Sequence, residues 1–260
     1  MIILLTGATG TLGSALLASG QHRHHTVRAA ARRVPTDRAV EGVEWRRIDL
    51  LTGEGLDAAL HGVDVVLHAA SAPRGETERT EVEGTQRLLD AAIRARVRHF
   101  VYVSIVGVDR IPVVYYRHKL EAERRVAAGG IPWSIARATQ FHDLIDIWCR
   151  GVAKSPVPVA MRGWKVQPVH VADFAEALWD TVAGAPQGPA PDFAGPQVLT
   201  WPEVVAAWRG ATGRRPFAIG LPVPGGLSRL MREGAACAPG SAVGRLTWTD
   251  WLARKYGPGA

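Results

Sequence analysis

The chain has 260 residues, of which 47% are hydrophobic and 21% charged, with a mass of 28.0 kDa and a mean hydropathy of +0.01. That composition excludes disorder as the main state and predicts one compact soluble domain with room for a subdomain. Thirty-one basic residues against 24 acidic give a net charge of +7, which permits attraction to phosphates, nucleic acid or an anionic surface without choosing among them.

No stretch approaches the roughly 20 apolar residues that a membrane span requires. The opening run Met1-Ile2-Ile3-Leu4-Leu5 meets Thr6-Gly7 too early for a signal peptide, so a cytoplasmic location without membrane contact is expected. Cys149 and Cys237 stand in no CxxC or Cys/His ligand spacing, which argues against a disulfide or zinc scaffold.

Short apolar runs alternate with helical patterns through the first half, the signature of β-α-β units and a parallel sheet. The first strand is predicted at 2–5 and is followed directly by Thr6-Gly7-Ala8-Thr9-Gly10-Thr11-Leu12-Gly13, then a short helix over 13–19. Glycines at 7, 10 and 13 allow, in turn, a tight turn, close approach of the backbone to a diphosphate, and close packing of helix on sheet. The helix N-terminus then faces the anion, so a dinucleotide is expected here. Histidines 22, 24 and 25 fall in a polar connection with no carboxylate or cysteine at ligand spacing, which reads as a solvated loop and no metal site.

The second strand is predicted at 26–30. A carboxylate at its end would bind an adenosine ribose 2′-hydroxyl, and an arginine a 2′-phosphate. The chain reads Ala29-Ala30-Ala31-Arg32-Arg33, so NADP(H) is favoured over NAD(H). These two belong to a zone of seven arginines (23, 28, 32, 33, 38, 46 and 47) facing only Asp37, Glu41 and Glu44. The zone lacks interleaved aromatics, and no nucleic-acid partner is expected.

Strands follow at 43–48, 63–68, 99–104 and 133–137, with helices at 56–60, 78–96 and from 113 to about 128. The helix at 78–96 gathers Val82, Leu88, Leu89, Ala92 and Ile93 on one face, with acids early and arginines late. Beyond 138 the pattern turns mainly helical (140–153, 171–183, 201–212, 226–233 and 249–255), with short strands near 157–160 and 165–169. Seven of the nine tryptophans lie here, either lining a pocket over the sheet or completing a small core.

Taken with Ile48-Asp49-Leu50, Val66-Leu67-His68-Ala69-Ala70-Ser71, Glu83-Gly84-Thr85, Phe100-Val101-Tyr102-Val103-Ser104, Tyr115-Tyr116-Arg117-His118-Lys119 and Arg137-Ala138-Thr139-Gln140-Phe141, the glycine motif resembles that of an atypical short-chain dehydrogenase/reductase of the NmrA-like kind. The resemblance covers about residues 1–180. It implies a Rossmann-type doubly wound α/β sheet over 1–138, and a smaller, mainly helical substrate-binding cap over 139–260 with segments near 165–183 returning to the core. It places Asp49 and Leu50 at the adenine, has Ala69, Ala70, Ser71 and Ser104 line the cofactor, and sets Arg137, Ala138 and Thr139 beside the nicotinamide.

Tyr115 and Lys119 lie four apart at the start of a helix and share a face. A phenol with a reference pKa of about 10 needs a neighbouring ammonium before it works as an acid–base group near neutrality. In the family it resembles, the lysine supplies that charge and holds the nicotinamide ribose, while the tyrosine moves a proton as hydride moves to or from carbon. The chain departs from that family at Ile105, which stands where a catalytic serine or threonine is usual, one position beyond Ser104. Tyr116 is a rival without a lysine four residues on, and His118, His142, Asp109, Gln140, Phe141 and Trp164 are further pocket candidates, the two histidines expected at the surface or behind the site.

The function expected is NADPH-dependent reduction of a carbonyl or conjugated double bond in a small molecule. A dinucleotide-sensing regulator, or a cofactor-retaining epimerase, dehydratase or cyclase, is the alternative. Substrate identity and oligomeric state are left open.

Overall fold

The computed structural model describes residues 1–35, 40–154, 159–214, 219–221 and 223–257. Asp37 and Arg38 of the arginine zone and the start of the strand expected near 157–160 lie outside the described residues. The strands are β1 (Ile2–Thr6), β2 (Thr26–Ala31), β3 (Val43–Arg47), β4 (Val65–His68), β5 (His99–Ile105), β6 (Trp133–Ala138), β7 (Val159–Met161), β8 (Lys165–Val166), β9 (Gly188–Pro189), β10 (Leu199–Thr200) and β11 (Ile219–Leu221). The α-helices are α1 (Thr11–Ala18), α2 (Leu56–Leu60), α3 (Thr85–Arg94), α4 (Val114–Ala128), α5 (His142–Lys154), α6 (Val171–Ala183), α7 (Trp201–Thr212), α8 (Gly226–Glu233) and α9 (Trp248–Tyr256).

These elements form two compact units. The first comprises Met1–Ser104, Val113–Arg137 and Ala175–Pro191; the second comprises Ile105–Pro112, Ala138–Phe174 and Asp192–Ala260. The chain therefore passes from one unit to the other several times.

In the first unit a parallel sheet runs β3-β2-β1-β4-β5-β6-β9. Residues 3–5 of β1, all of β4 and most of β5 are buried, which is why they read as unbroken apolar runs with no polar alternation. Edge strand β3 carries Glu44, Trp45, Arg46 and Arg47 and stays largely accessible. Leu4, Val66, Phe100 and Tyr102 pack with Leu88 and Leu89 of α3 and Ala122 and Val126 of α4. Each large apolar side chain of this kind contributes about 1.5–3 kcal/mol by leaving water. Because β1 lies between β2 and β4, the winding direction reverses there, and in such sheets ligands bind beyond the carboxyl ends of the strands at the reversal.

The helix expected at 78–96 has two parts. Arg79–Gly84, which carries the buried Val82, forms a π-helical turn and α3 follows from Thr85, so the 3.6-residue period breaks between Val82 and the rest of the expected apolar face. His22 departs from the solvated loop expected of it. It is buried in a 3-10 turn (Gln21–His24), with Nε2 3.2 Å from the Glu41 carbonyl. Trp179 belongs to this unit too, donating from Nε1 to the Leu16 carbonyl and to Ser19 Oγ.

The second unit pairs β8 with β10 antiparallel and β7 with β11 parallel. Its core joins Trp201, Trp208, Trp248 and Trp251 with Ile145, Cys149 and Val204, so these tryptophans complete a core. Helix α7 opens with a reciprocal cap between Thr200 and Glu203. Inside the unit Asp146 accepts hydrogen bonds at 2.7 Å from both Trp208 Nε1 and Tyr256 Oη, and pairs with Lys255 at 3.1 Å and Arg150 at 3.0 Å. His142, expected at a surface or behind the site, is fully buried against Trp248 and Trp251.

Candidate functional site

The glycine turn is shaped by what side chains would collide with. Gly7 has φ +70°, and a Cβ there would stand 2.6 Å from the Ala70 nitrogen and 2.7 Å from the Ala69 carbonyl. The turn after β1 thus lies directly against the segment after β4. At Gly13 a Cβ would stand 2.2 Å from the Gly7 oxygen, so the third glycine seats α1 on the turn. Gly10 differs: the nearest atom to a Cβ is the Gly7 oxygen at 3.2 Å, and Thr9, Gly10 and Thr11 are exposed. Gly10 is the extended N-cap of α1, with no side chain capping the helix. The first amides of a helix lack intrahelical acceptors, so an open, uncapped N-terminus is a site for an anion. Leu12 is buried beneath it.

Arg32 and Arg33 are exposed just past β2, with no ion-pair partner among the described residues. Asp49 accepts a 2.8 Å bond from the Leu51 amide, which fixes the loop after β3, and Leu50 is buried against Gly84.

The polar heart of this unit is a chain of four groups. The Tyr115 hydroxyl is 2.6 Å from Ser71 Oγ, and Ser71 Oγ donates to Glu81 Oε1 at 2.7 Å. The same Glu81 oxygen accepts the Ala72 amide at 2.7 Å, while its Oε2 lies 3.4 Å from Lys119 Nζ. Glu81 and Lys119 have side-chain exposures of 0% and 4%. Lys119 also donates to the Val103 carbonyl at 2.7 Å and sits 4.1 Å above the Tyr102 ring. Expected to act directly on the phenol, the ammonium instead faces a carboxylate, and Ser71 is what touches the tyrosine.

Electrostatics follow from that arrangement. Burial, and then the Glu81 charge, push the Tyr115 phenol well above its usual range, and the Ser71 hydrogen bond only partly offsets them. The phenol is therefore neutral at ordinary pH. Burial draws Lys119 down, opposed by Glu81. Burial likewise holds Tyr116 at about 12. Beneath the turn, His68 links Thr6 Oγ1 (2.7 Å) to Thr85 Oγ1 (3.0 Å), and burial followed by the Lys119 charge lowers its pKa to about 3. It is a neutral strut between strand and helix.

Other candidates are committed elsewhere. The Arg137 guanidinium grips Glu123 of α4 at 2.9 and 2.6 Å. Ser104 is buried, its hydroxyl without a partner among the described residues. Ala138 and Thr139 belong to the second unit, where Thr139 Oγ1 accepts the Gly195 amide at 3.2 Å. There too, Gln140 spans the Ala236 carbonyl and the Gln167 amide, Phe141 packs on Phe174, and Trp164 donates to Ser228. His118 is 2.7 Å from Thr77 Oγ1 in the first unit. No cluster of three metal-ligating side chains exists among the described residues, nor any helix long and apolar enough to cross a membrane.

Glu81 is the group the sequence reading overlooked. Its signal was a carboxylate spaced at 81, 85, 88 and 92 with positions that are buried, where an acid needs a partner.

A family model described as NAD(P)H-binding matches residues 7–180. An uncharacterized protein of Mycobacterium tuberculosis is 31% identical over 229 residues, covering 86% of this chain and 24% of its own; the chain thus spans about a quarter of that relative's length. An NAD(P)H azoreductase of Xenophilus azovorans is 28% identical over 255 residues, covering 92% of this chain and 87% of its own. An NADPH-dependent quinone oxidoreductase of Escherichia coli, solved with NADPH, has the same fold at a TM-score of 0.81 and 20% identity, covering 98% of this chain and 99% of that one.

Proposed function

The chain belongs to the NAD(P)H-binding family, and from that premise we propose that it is an NADPH-dependent reductase of the short-chain dehydrogenase/reductase superfamily. It delivers hydride to the carbonyl or conjugated double bond of a small organic molecule, with Tyr115 as proton donor and Lys119 as electrostatic and ribose-binding partner. The observation that carries this reading is one of adjacency: Gly7 abuts Ala69 and Ala70, and the next residue, Ser71, bonds the Tyr115 hydroxyl. An acid–base phenol is thereby held two residues from the backbone against which the anion-binding turn is built.

The residues present fit such a cofactor. The uncapped N-terminus of α1, with Gly10 exposed at its start, suits a diphosphate, and Arg32 and Arg33, without an ion-pair partner among the described residues, suit a 2′-phosphate. When bound, the reduced nicotinamide supplies the hydride. The neutral Tyr115 phenol holds the proton destined for the substrate oxygen, burial and the Glu81 charge keeping it protonated. The setting proposed is cytoplasmic.

Quinones and azo compounds, named for the Escherichia coli and Xenophilus azovorans proteins, are the first acceptors to try. NADPH oxidation with menadione is expected for the wild-type protein. Tyr115→Phe should abolish it while NADPH affinity, read by calorimetry, changes less than about twofold. A Phe variant with undiminished turnover removes Tyr115 from the mechanism.

A further inference from the structure

The Tyr115 hydroxyl does not end at solvent: it bonds Ser71, Ser71 bonds Glu81, and Glu81 faces Lys119, all in one unit. A carboxylate with a side-chain exposure of 0% is costly to bury unless it is paired and fully hydrogen-bonded. Glu81 meets it in part: Oε1 accepts from Ser71 and the Ala72 amide, while Oε2 is ion-paired with Lys119 at 3.4 Å and has no hydrogen-bond partner among the described residues. It is also carried on the π-helical turn Arg79–Gly84, an irregularity that often marks functional positions. Meanwhile the strand position where the resembled family has a catalytic hydroxyl is Ile105, and Ser71 is a hydroxyl that the structure sets against Tyr115.

We propose that Ser71 and Glu81 form a proton relay to Tyr115, in which Ser71 passes a proton between the phenol and the buried carboxyl. The proposal rests on the reductase reading above and deepens it. In the reductive direction, hydride adds to the substrate carbon and the carbonyl π pair moves to oxygen, which takes the Tyr115 proton. The tyrosine oxygen takes the Ser71 proton, and Ser71 Oγ takes the proton of the Glu81 carboxyl. Glu81 ends ionised beside the Lys119 ammonium, and the proton it gave up is replaced from solvent through the exposed Ser71 in each turnover. The hydrogen bonds observed, with Ser71 donating to Glu81 and Tyr115 placed to donate to Ser71, are those of the relay after delivery. Oxidation runs the same transfers backward. The charged and titratable groups around Glu81 are Lys119 and Tyr115 of α4 and Tyr102 of β5, with Glu123 and His68 next to Lys119.

Neither residue touches the reacting atoms, so both act through Tyr115. Two readouts test this. With menadione and NADPH, Ser71→Ala should lower kcat at least tenfold and change its pH profile and solvent isotope effect, the loss in kcat exceeding any change in KM for NADPH, with Ser71→Thr restoring the rate. Glu81→Gln should do as Ser71→Ala does. In cofactor-free protein, Tyr115 ionisation is read as the ultraviolet phenolate difference from Tyr115→Phe. It should shift to lower pH in Glu81→Gln, which removes a facing negative charge, and to higher pH in Ser71→Ala.

Should Glu81→Gln fail to fold because Lys119 is left unpaired, Ser71→Ala decides alone, since Ser71 is exposed and its loss leaves the buried pair intact. Wild-type kcat and pH profile in Ser71→Ala overturn the relay while the reductase reading stands. Turnover surviving in Tyr115→Phe overturns the reductase role of Tyr115 and the relay with it, and the phenolate titration then reports only whether the groups are coupled.

Discussion

Gly10→Ala separates ligand binding from folding more cleanly than any other change in the glycine turn. The added methyl meets a single atom, the Gly7 oxygen at 3.2 Å, and Gly10 already has an ordinary extended conformation (φ −76°, ψ 174°). The fold should therefore hold, with stability within about 0.5 kcal/mol of wild type. The methyl does occupy the space through which phosphate oxygens reach the amides of α1. Losing one hydrogen bond to a charged group costs about 1.5–3 kcal/mol, so NADPH should bind roughly 10- to 100-fold more weakly. Gly13→Ala is the matched control. Its methyl would stand within 2.2–2.8 Å of three backbone atoms, none of which can rotate away, so a loss of about 1–3 kcal/mol of stability is expected. Calorimetric titration with NADPH reads the first quantity and urea denaturation the second. If Gly10→Ala binds NADPH like wild type, the diphosphate does not lie at this helix terminus.

Arg32→Ala and Arg33→Ala together should weaken NADPH by at least tenfold and leave NADH within about twofold; equal losses for both cofactors would remove the 2′-phosphate from this corner. Both His68 and His142 have pKa values lowered to about 3, mainly by burial. The unfolded chain therefore binds more protons below the usual 6.5, and stability should fall as pH drops from 6.5 toward 3, by about 1.4 kcal/mol per pH unit for each ring. His142→Phe keeps an aromatic between Trp248 and Trp251 and should remove one such increment from the slope measured by urea denaturation. At Asp146, burial pushes the carboxyl up, yet hydrogen bonds from Tyr256, Trp208 and Lys255 outweigh it and hold the pKa below 3.8. Its contribution is complete above that value and is lost as pH falls through the depressed one. Asp146→Ala should cost about 3–5 kcal/mol at neutral pH, and a loss under 1 kcal/mol would show the network to be dispensable.

The strands and helices of the first unit were legible because each carries its own local signal: an apolar run for a doubly covered strand and glycines where the chain must turn; the 171–183 helix, which runs from the second unit into the first, and the 201–212 helix of the second unit were legible through their periodicity. Strands such as Gly188–Pro189 and Leu199–Thr200, two residues long, have no period to read and exist only because a neighbour pairs with them. The buried positions of His22 and His142 were hidden for a related reason. Their partners, Glu41 and Trp248, lie far along the chain, and polarity alone suggested solvent. At the candidate site the tyrosine and lysine were visible four residues apart. Their linkage through Ser71 and Glu81 was not, since it joins residues 44, 10 and 38 positions apart. Arg137, which the resemblance placed beside the nicotinamide, also bonds Glu123, a residue 14 positions earlier that no local signal linked to it.

The interleaving of the two units has a consequence for how the chain is made. The seventh strand of the nucleotide-binding sheet is supplied by Gly188–Pro189, and the same unit includes Ala175–Pro191. A nascent polypeptide emerging from the ribosome thus cannot complete that sheet until residue 189 has been synthesised. Stopping at residue 138 would strand an open parallel edge, so gene fragments cut there should precipitate rather than behave as an independent module.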